Sequence, residues 1–106
     1  MMIDLNRELK VVIRTGKLAY GFNTVKSLLL NKRVAGVIIA KEAREDIVSQ
    51  LAYYAKLAKV PIYLFDGDSW DLGKLLEKPF MVSSIAILDP GESNIMALFE
   101  EAGEGA

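Results

Sequence analysis

Three carboxylates, Asp66, Asp68 and Asp71, form the one acidic cluster with the spacing of metal ligands. Hard oxygens near a turn suit Mg²⁺ or Ca²⁺, but the Gly and closing Glu of a calcium loop are not at their required offsets. Asp66-Gly67 also reads as turn chemistry. Asp68 and Asp71 fall in the first turn of a helix, where carboxylates offset the dipole. The cluster is read as structural, and neither a metal nor a cofactor is expected. The chain has no His and no Cys. This excludes an imidazole base, a Ser-His-Asp triad, a thiol nucleophile, a disulfide framework and a zinc site built on Cys or His. The glycines, at positions 16, 21, 36, 67, 73, 91, 103 and 105, match neither the dinucleotide-binding nor the P-loop fingerprint. No enzyme and no small-molecule substrate are expected.

Binding chemistry is better represented. Gly21-Phe22-Asn23-Thr24 reads as a strand-to-helix turn. Glycine lets a backbone approach a ligand closely, and a helix start offers free N–H groups to an anion. Lys17 before the turn and Lys26 one helical turn beyond it add positive charge. A capped helix behind an ordinary glycine turn is the plainer reading of the same residues. The second place is Lys78-Pro79-Phe80-Met81-Val82, a loop in which large apolar groups are out of place unless they pack inward or meet a partner. Tyr53-Tyr54 is read as one core and one rim residue rather than a stacking pair.

The charge is divided along the chain although the net value is only −1. Residues 1–59 carry eleven basic and five acidic groups, a balance of +6, and residues 60–106 carry two and nine, a balance of −7. Such a division suits either a polyanion-binding face beside an acidic end or two ordinary solvated surfaces. The length of 106 residues favours one domain, residues 1–102, with residues 103–106 as a flexible tail. No apolar run is long enough for a membrane helix, and Met1-Met2-Ile3-Asp4 lacks the basic start of a signal peptide. A soluble intracellular domain without a membrane partner is expected.

These residues need elements to position them, and the periodicity supplies nine. Asp4 caps a first helix with Leu5, Leu9, Val12 and Ile13 on one face, and Gly16 stops it as a C′ residue. Residues 17–20 form a strand ending at Gly21. A second helix follows, capped by Asn23 or Thr24, with Val25, Leu28 and Leu29 inward, and Asn31-Lys32-Arg33 breaks it. Val34 to Ala40 reads as a strand buried on both faces. Arg44 to Lys59 is the longest helix, with Ile47, Leu51, Ala55 and Ala58 as its stripe. Pro61 opens the strand Ile62 to Phe65, Asp68 or Ser69 caps a short helix to Leu76, and Ser83 to Leu88 is a fourth strand. Asp89-Pro90-Gly91-Glu92 turns the chain into a last helix, Ser93 to Ala102. Strands alternating with helices predict an α/β fold, a three-layer α/β/α sandwich around a small four-stranded sheet.

With these elements in place, the chain resembles the archaeal and eukaryotic family of large-subunit ribosomal protein thirty of the eukaryote-type series, within the kink-turn RNA-binding superfamily. The likeness is carried by Arg14-Thr15-Gly16-Lys17, Gly21, Ile38-Ile39-Ala40, Tyr53-Tyr54-Ala55-Lys56-Leu57-Ala58, Pro61-Ile62-Tyr63, Asp71-Leu72-Gly73 and Asp89-Pro90-Gly91-Glu92-Ser93. The resemblance implies a mixed sheet, a cytoplasmic ribosomal location, and ribosomal RNA and other ribosomal proteins as partners. It implies binding to a sharply bent helix-bulge-helix RNA, with Gly21, Asn23 and Lys26 meeting the sheared G·A pairs. Phe80, Met81 and Val82 would then receive a base flipped out of the bulge. Glu42 stands where the family usually has an Asn that contacts a guanine edge. A carboxylate accepts from guanine N–H groups but brings negative charge near phosphates. Glu77 replaces a small residue common in the family at its position. Two other readings remain open: a kink-turn protein of a small ribonucleoprotein or processing particle, and a protein-interaction module that uses Phe80 to Val82.

Overall fold

The computed structural model describes residues 4–31 and 34–103. Met1 to Ile3, the Lys32-Arg33 part of the expected helix break, and residues 104–106 of the expected tail lie outside the described residues. The Asp4 carboxylate accepts from the Arg7 N–H at 3.4 Å and caps α1, Leu5–Thr15. Leu9 and Val12 are buried, whereas Ile13, expected on the same stripe, is 47% exposed. At 3.6 residues per turn Ile13 lies at the stripe's edge, so the sheet takes Val12 and leaves Ile13 to water.

The remaining elements are β1 (Lys17–Tyr20), α2 (Phe22–Leu30), β2 (Gly36–Ala40), α3 (Glu45–Ala58), β3 (Ile62–Phe65), α4 (Ser69–Leu75), β4 (Ser84–Asp89) and α5 (Met96–Gly103). The expected order of helices and strands is the observed one. The last helix starts at Met96 rather than Ser93, because the Ser93 hydroxyl turns back to donate to the Pro90 carbonyl at 2.7 Å.

The strands lie in the order β1-β4-β2-β3, with β4 antiparallel to both neighbours and β2 parallel to β3. The sheet is therefore mixed. Alternation along the two central strands divides the core. Ile38, Ala40, Ile85 and Ile87 face Leu9, Val12, Leu72, Ile95 and Phe99 of α1, α4 and the α5 region. Val37, Ile39 and Ala86 face Val25, Leu29, Leu51 and Ala55 of α2 and α3. Helices on both faces of one sheet make the three layers, and every residue of β2 is buried, as its unbroken apolar run requires.

The Asp89-to-Ser93 segment is scaffold. The Asp89 carboxylate accepts from the Gly91 N–H at 2.9 Å, and Glu92 N–H donates to Thr15 Oγ1 at 3.0 Å. Asn94 N–H donates to Glu8 Oε1 at 2.8 Å. This turn docks on the end of α1. Gly16 there is extended (φ −118°), not left-handed as a C′ glycine would be. It lacks a side chain because a Cβ would run into the Asp89 carbonyl.

Candidate nucleic-acid interface

Tyr20 ends β1, and the next residue turns sharply. Gly21 has φ 98° and ψ 146°, a combination that side-chain-bearing residues rarely adopt. Its N–H is held by the Ser84 carbonyl of β4 at 3.0 Å, and its own carbonyl accepts from Val25 N–H at 2.9 Å. Gly21 is thus the N-cap of α2. The expected caps, Asn23 and Thr24, are instead exposed residues inside the first turn, because the glycine makes the turn without a side-chain cap. No acidic residue occupies that first turn, so its N–H groups are open to an anion. A Cβ on Gly21 would meet nothing within 4 Å, so this main-chain corner faces open space.

The second expected spot is built by α4. Its C-terminus closes with Glu77 N–H on the Lys74 carbonyl and Lys78 N–H on the Gly73 carbonyl, at 2.9 and 3.0 Å. This double bond pattern is a Schellman motif with Glu77 in the left-handed position (φ 59°). The chain then folds back along the same helix. Val82 N–H reaches the Ser69 carbonyl at 3.0 Å, and Gly73 leaves room for the Phe80 carbonyl. Val82 is 1% exposed and belongs to the core, which corrects its expected place among residues meeting a base. Its burial anchors the loop, while Phe80 and Met81 project at 43% and 56% exposure.

The two spots lie together. Gly21, Phe22, Glu42 and Met81 line one open groove with Ile47, Asp68, Ser69 and Trp70. Phe80 stands beside it, its ring centroid 6.0 Å from that of Tyr20. Lys78 Nζ lies 5.5 Å from the Tyr20 ring, and Lys17, Tyr20 and Lys78 line a second groove. Lys26 is not among the groove-lining residues; its ammonium sits 5.8 Å from the Phe22 ring and 5.4 Å from that of Tyr54, within cation–π range. Tyr54 packs against the α2–α3 side of the core and Tyr53 is exposed, so the expected division of that pair holds.

The charges in the groove are mostly negative. Glu42 is exposed, with its N–H on the Gly67 carbonyl at 3.0 Å. Arg44 is held by Asp46 at 2.9 Å. Asp68 and Asp71 form a reciprocal capping box: Asp71 N–H donates to Asp68 Oδ1 at 2.9 Å, and Asp68 N–H donates to Asp71 Oδ2 at 3.1 Å. The hydrogen bond from the Asp71 N–H holds the Asp68 carboxyl below its usual range. Their carboxylates thus organise a helix start, and no group of three or more metal-ligating side chains converges among the described residues. Trp70 is the groove residue that spacing did not pick out. The signal available was a large aromatic two residues after the Asp68 cap, in a first turn whose inward position belongs to Leu72.

The model of the ribosomal protein L7Ae/L30e/S12e/Gadd45 family matches residues 3–97. The chain belongs to that family. Among its relatives, a protein of Pyrobaculum islandicum is 42% identical over 101 residues, covering 95% of this chain and 100% of the relative. One of Pyrobaculum calidifontis is 44% identical over 101 residues, with the same coverage of 95% and 100%. One of Sulfurisphaera tokodaii is 40% identical over 99 residues, covering 93% of this chain and 91% of the relative. All three are named large ribosomal subunit protein eL30.

Proposed function

We propose that this chain is a structural RNA-binding protein of the large ribosomal subunit, without catalysis, that clasps a kink-turn of ribosomal RNA. The bare Gly21 corner and the projecting Phe80-Met81 loop open on one stretch of surface, and this observation carries the reading. RNA is read where its bases are unstacked, and apolar or aromatic side chains support a splayed base. Gly21, Asn23 and the free N–H groups of α2 meet the backbone and paired bases at the bend. Lys26 adds positive charge from the flank. Phe80 and Met81 take the extruded base, and Val82 fixes their loop from within. Glu42 stands at the same surface, where its carboxylate brings negative charge near the RNA phosphates.

A gel-shift titration with a synthetic kink-turn RNA at two salt concentrations tests this. Binding that weakens with salt, and is absent for an unbulged duplex of the same composition, is expected. Failure to bind even at low salt would contradict the reading.

A further inference from the structure

Within the groove, the Trp70 side chain is a large aromatic surface left open to solvent. Helix α4 takes its cap from Asp68 and Asp71 and its core contacts from Leu72 and Leu76. The Trp70 main chain helps to hold the Asp68 cap, but its indole remains 52% exposed in the groove that also holds Gly21 and Met81. A large indole left half in water beside an exposed methionine is the pattern of a recognition surface.

The nearby charges specify what it recognises. Glu42, Asp68 and Arg44 line the same groove, and the Arg44 guanidinium is paired with Asp46, so the balance there is negative and disfavours a phosphate. A nucleobase is uncharged, offers N–H donors to a carboxylate on its edge, and presents a flat face to an indole. An apolar peptide side chain would desolvate those carboxylates and return no donors. Resting on the RNA-binding reading above, we propose that Trp70 is a stacking platform for an unpaired nucleobase of the bound RNA, distinct from the base met by Phe80. The groove then holds one base by its face and edge while phosphates pass outside it.

Trp70 is the chain's single tryptophan, so its emission reports this contact directly. Titration of the full chain with the kink-turn RNA should quench that emission, with the midpoint seen by gel shift. Trp70→Ala should weaken binding roughly 5- to 150-fold, whereas Trp70→Phe should stay within a few-fold of wild type. The melting temperature of each variant verifies that the exposed substitution leaves the fold intact. Unchanged emission on RNA that is bound by gel shift, or wild-type affinity in Trp70→Ala, overturns the stacking role and leaves the kink-turn reading standing. Loss of a ribosomal-protein contact in Trp70→Ala with RNA affinity intact overturns it in favour of protein docking. If the wild-type chain binds no kink-turn RNA, the reading beneath it fails first.

Discussion

Phe80 is half in water although its neighbour Val82 is fully enclosed, and the difference comes from main-chain anchoring on either side of the loop. Truncating an anchored, exposed ring removes a contact surface with little effect on the core. Phe80→Ala is therefore expected to weaken kink-turn binding by about 1–3 kcal/mol. A gel-shift dissociation constant equal to wild type would remove Phe80 from the interface. Glu42 presents the opposite case. Its carboxylate stands in a groove that already contains Asp68, so Glu42→Asn relieves a repelled charge while keeping a polar edge. The substitution should tighten binding in the same assay. Weaker binding would mean that the carboxylate itself makes a productive contact with a base donor.

At the level of elements, local structure is set by a few backbone decisions. Glu77 occupies a left-handed C′ position that favours glycine, so Glu77→Gly should stabilise the fold by about 1 kcal/mol in chemical denaturation. A lower midpoint for the variant would show that the Glu77 side chain makes a stabilising contact. The Asp68–Asp71 box has a pH sign. Its lowered Asp68 pKa contributes stability above the usual carboxylate pKa, and that contribution disappears as pH falls through the lowered value. Element order, the doubly buried β2 and the glycine corner were all legible in the sequence, because apolar periodicity and glycine placement act locally. The start of α2 was not, since Asn23 and Thr24 are good caps and only the pairing of Gly21 with Ser84 of β4 decides against them. Val82 was misplaced for a similar reason. Its neighbours in the loop are exposed, and its burial depends on the loop folding back to a hydrogen bond with Ser69 at the start of α4. Trp70 was passed over because sequence cannot show which face of a short helix looks into a groove.

Across the whole molecule, both halves of the chain bring charge of both signs to this surface. The groove holds Glu42 and Asp68 with the Asp46-paired Arg44, whereas Lys17 and Lys78 line a second groove with Tyr20. Phosphates are therefore expected along the lysine side, with bases turned toward the groove. Replacing both lysines with Gln should reduce the slope of log affinity against log salt by about 1.5 to 2. An unchanged slope would move the phosphate track elsewhere. The placement of the RNA itself is tested most directly by amide chemical-shift mapping of the full chain during titration with the kink-turn RNA. The largest shifts should fall on Gly21 to Thr24 and on Phe80 and Met81, joined by the Glu42 turn. Shifts concentrated on α5 or the β3 edge, with these amides unmoved, would contradict the joint site.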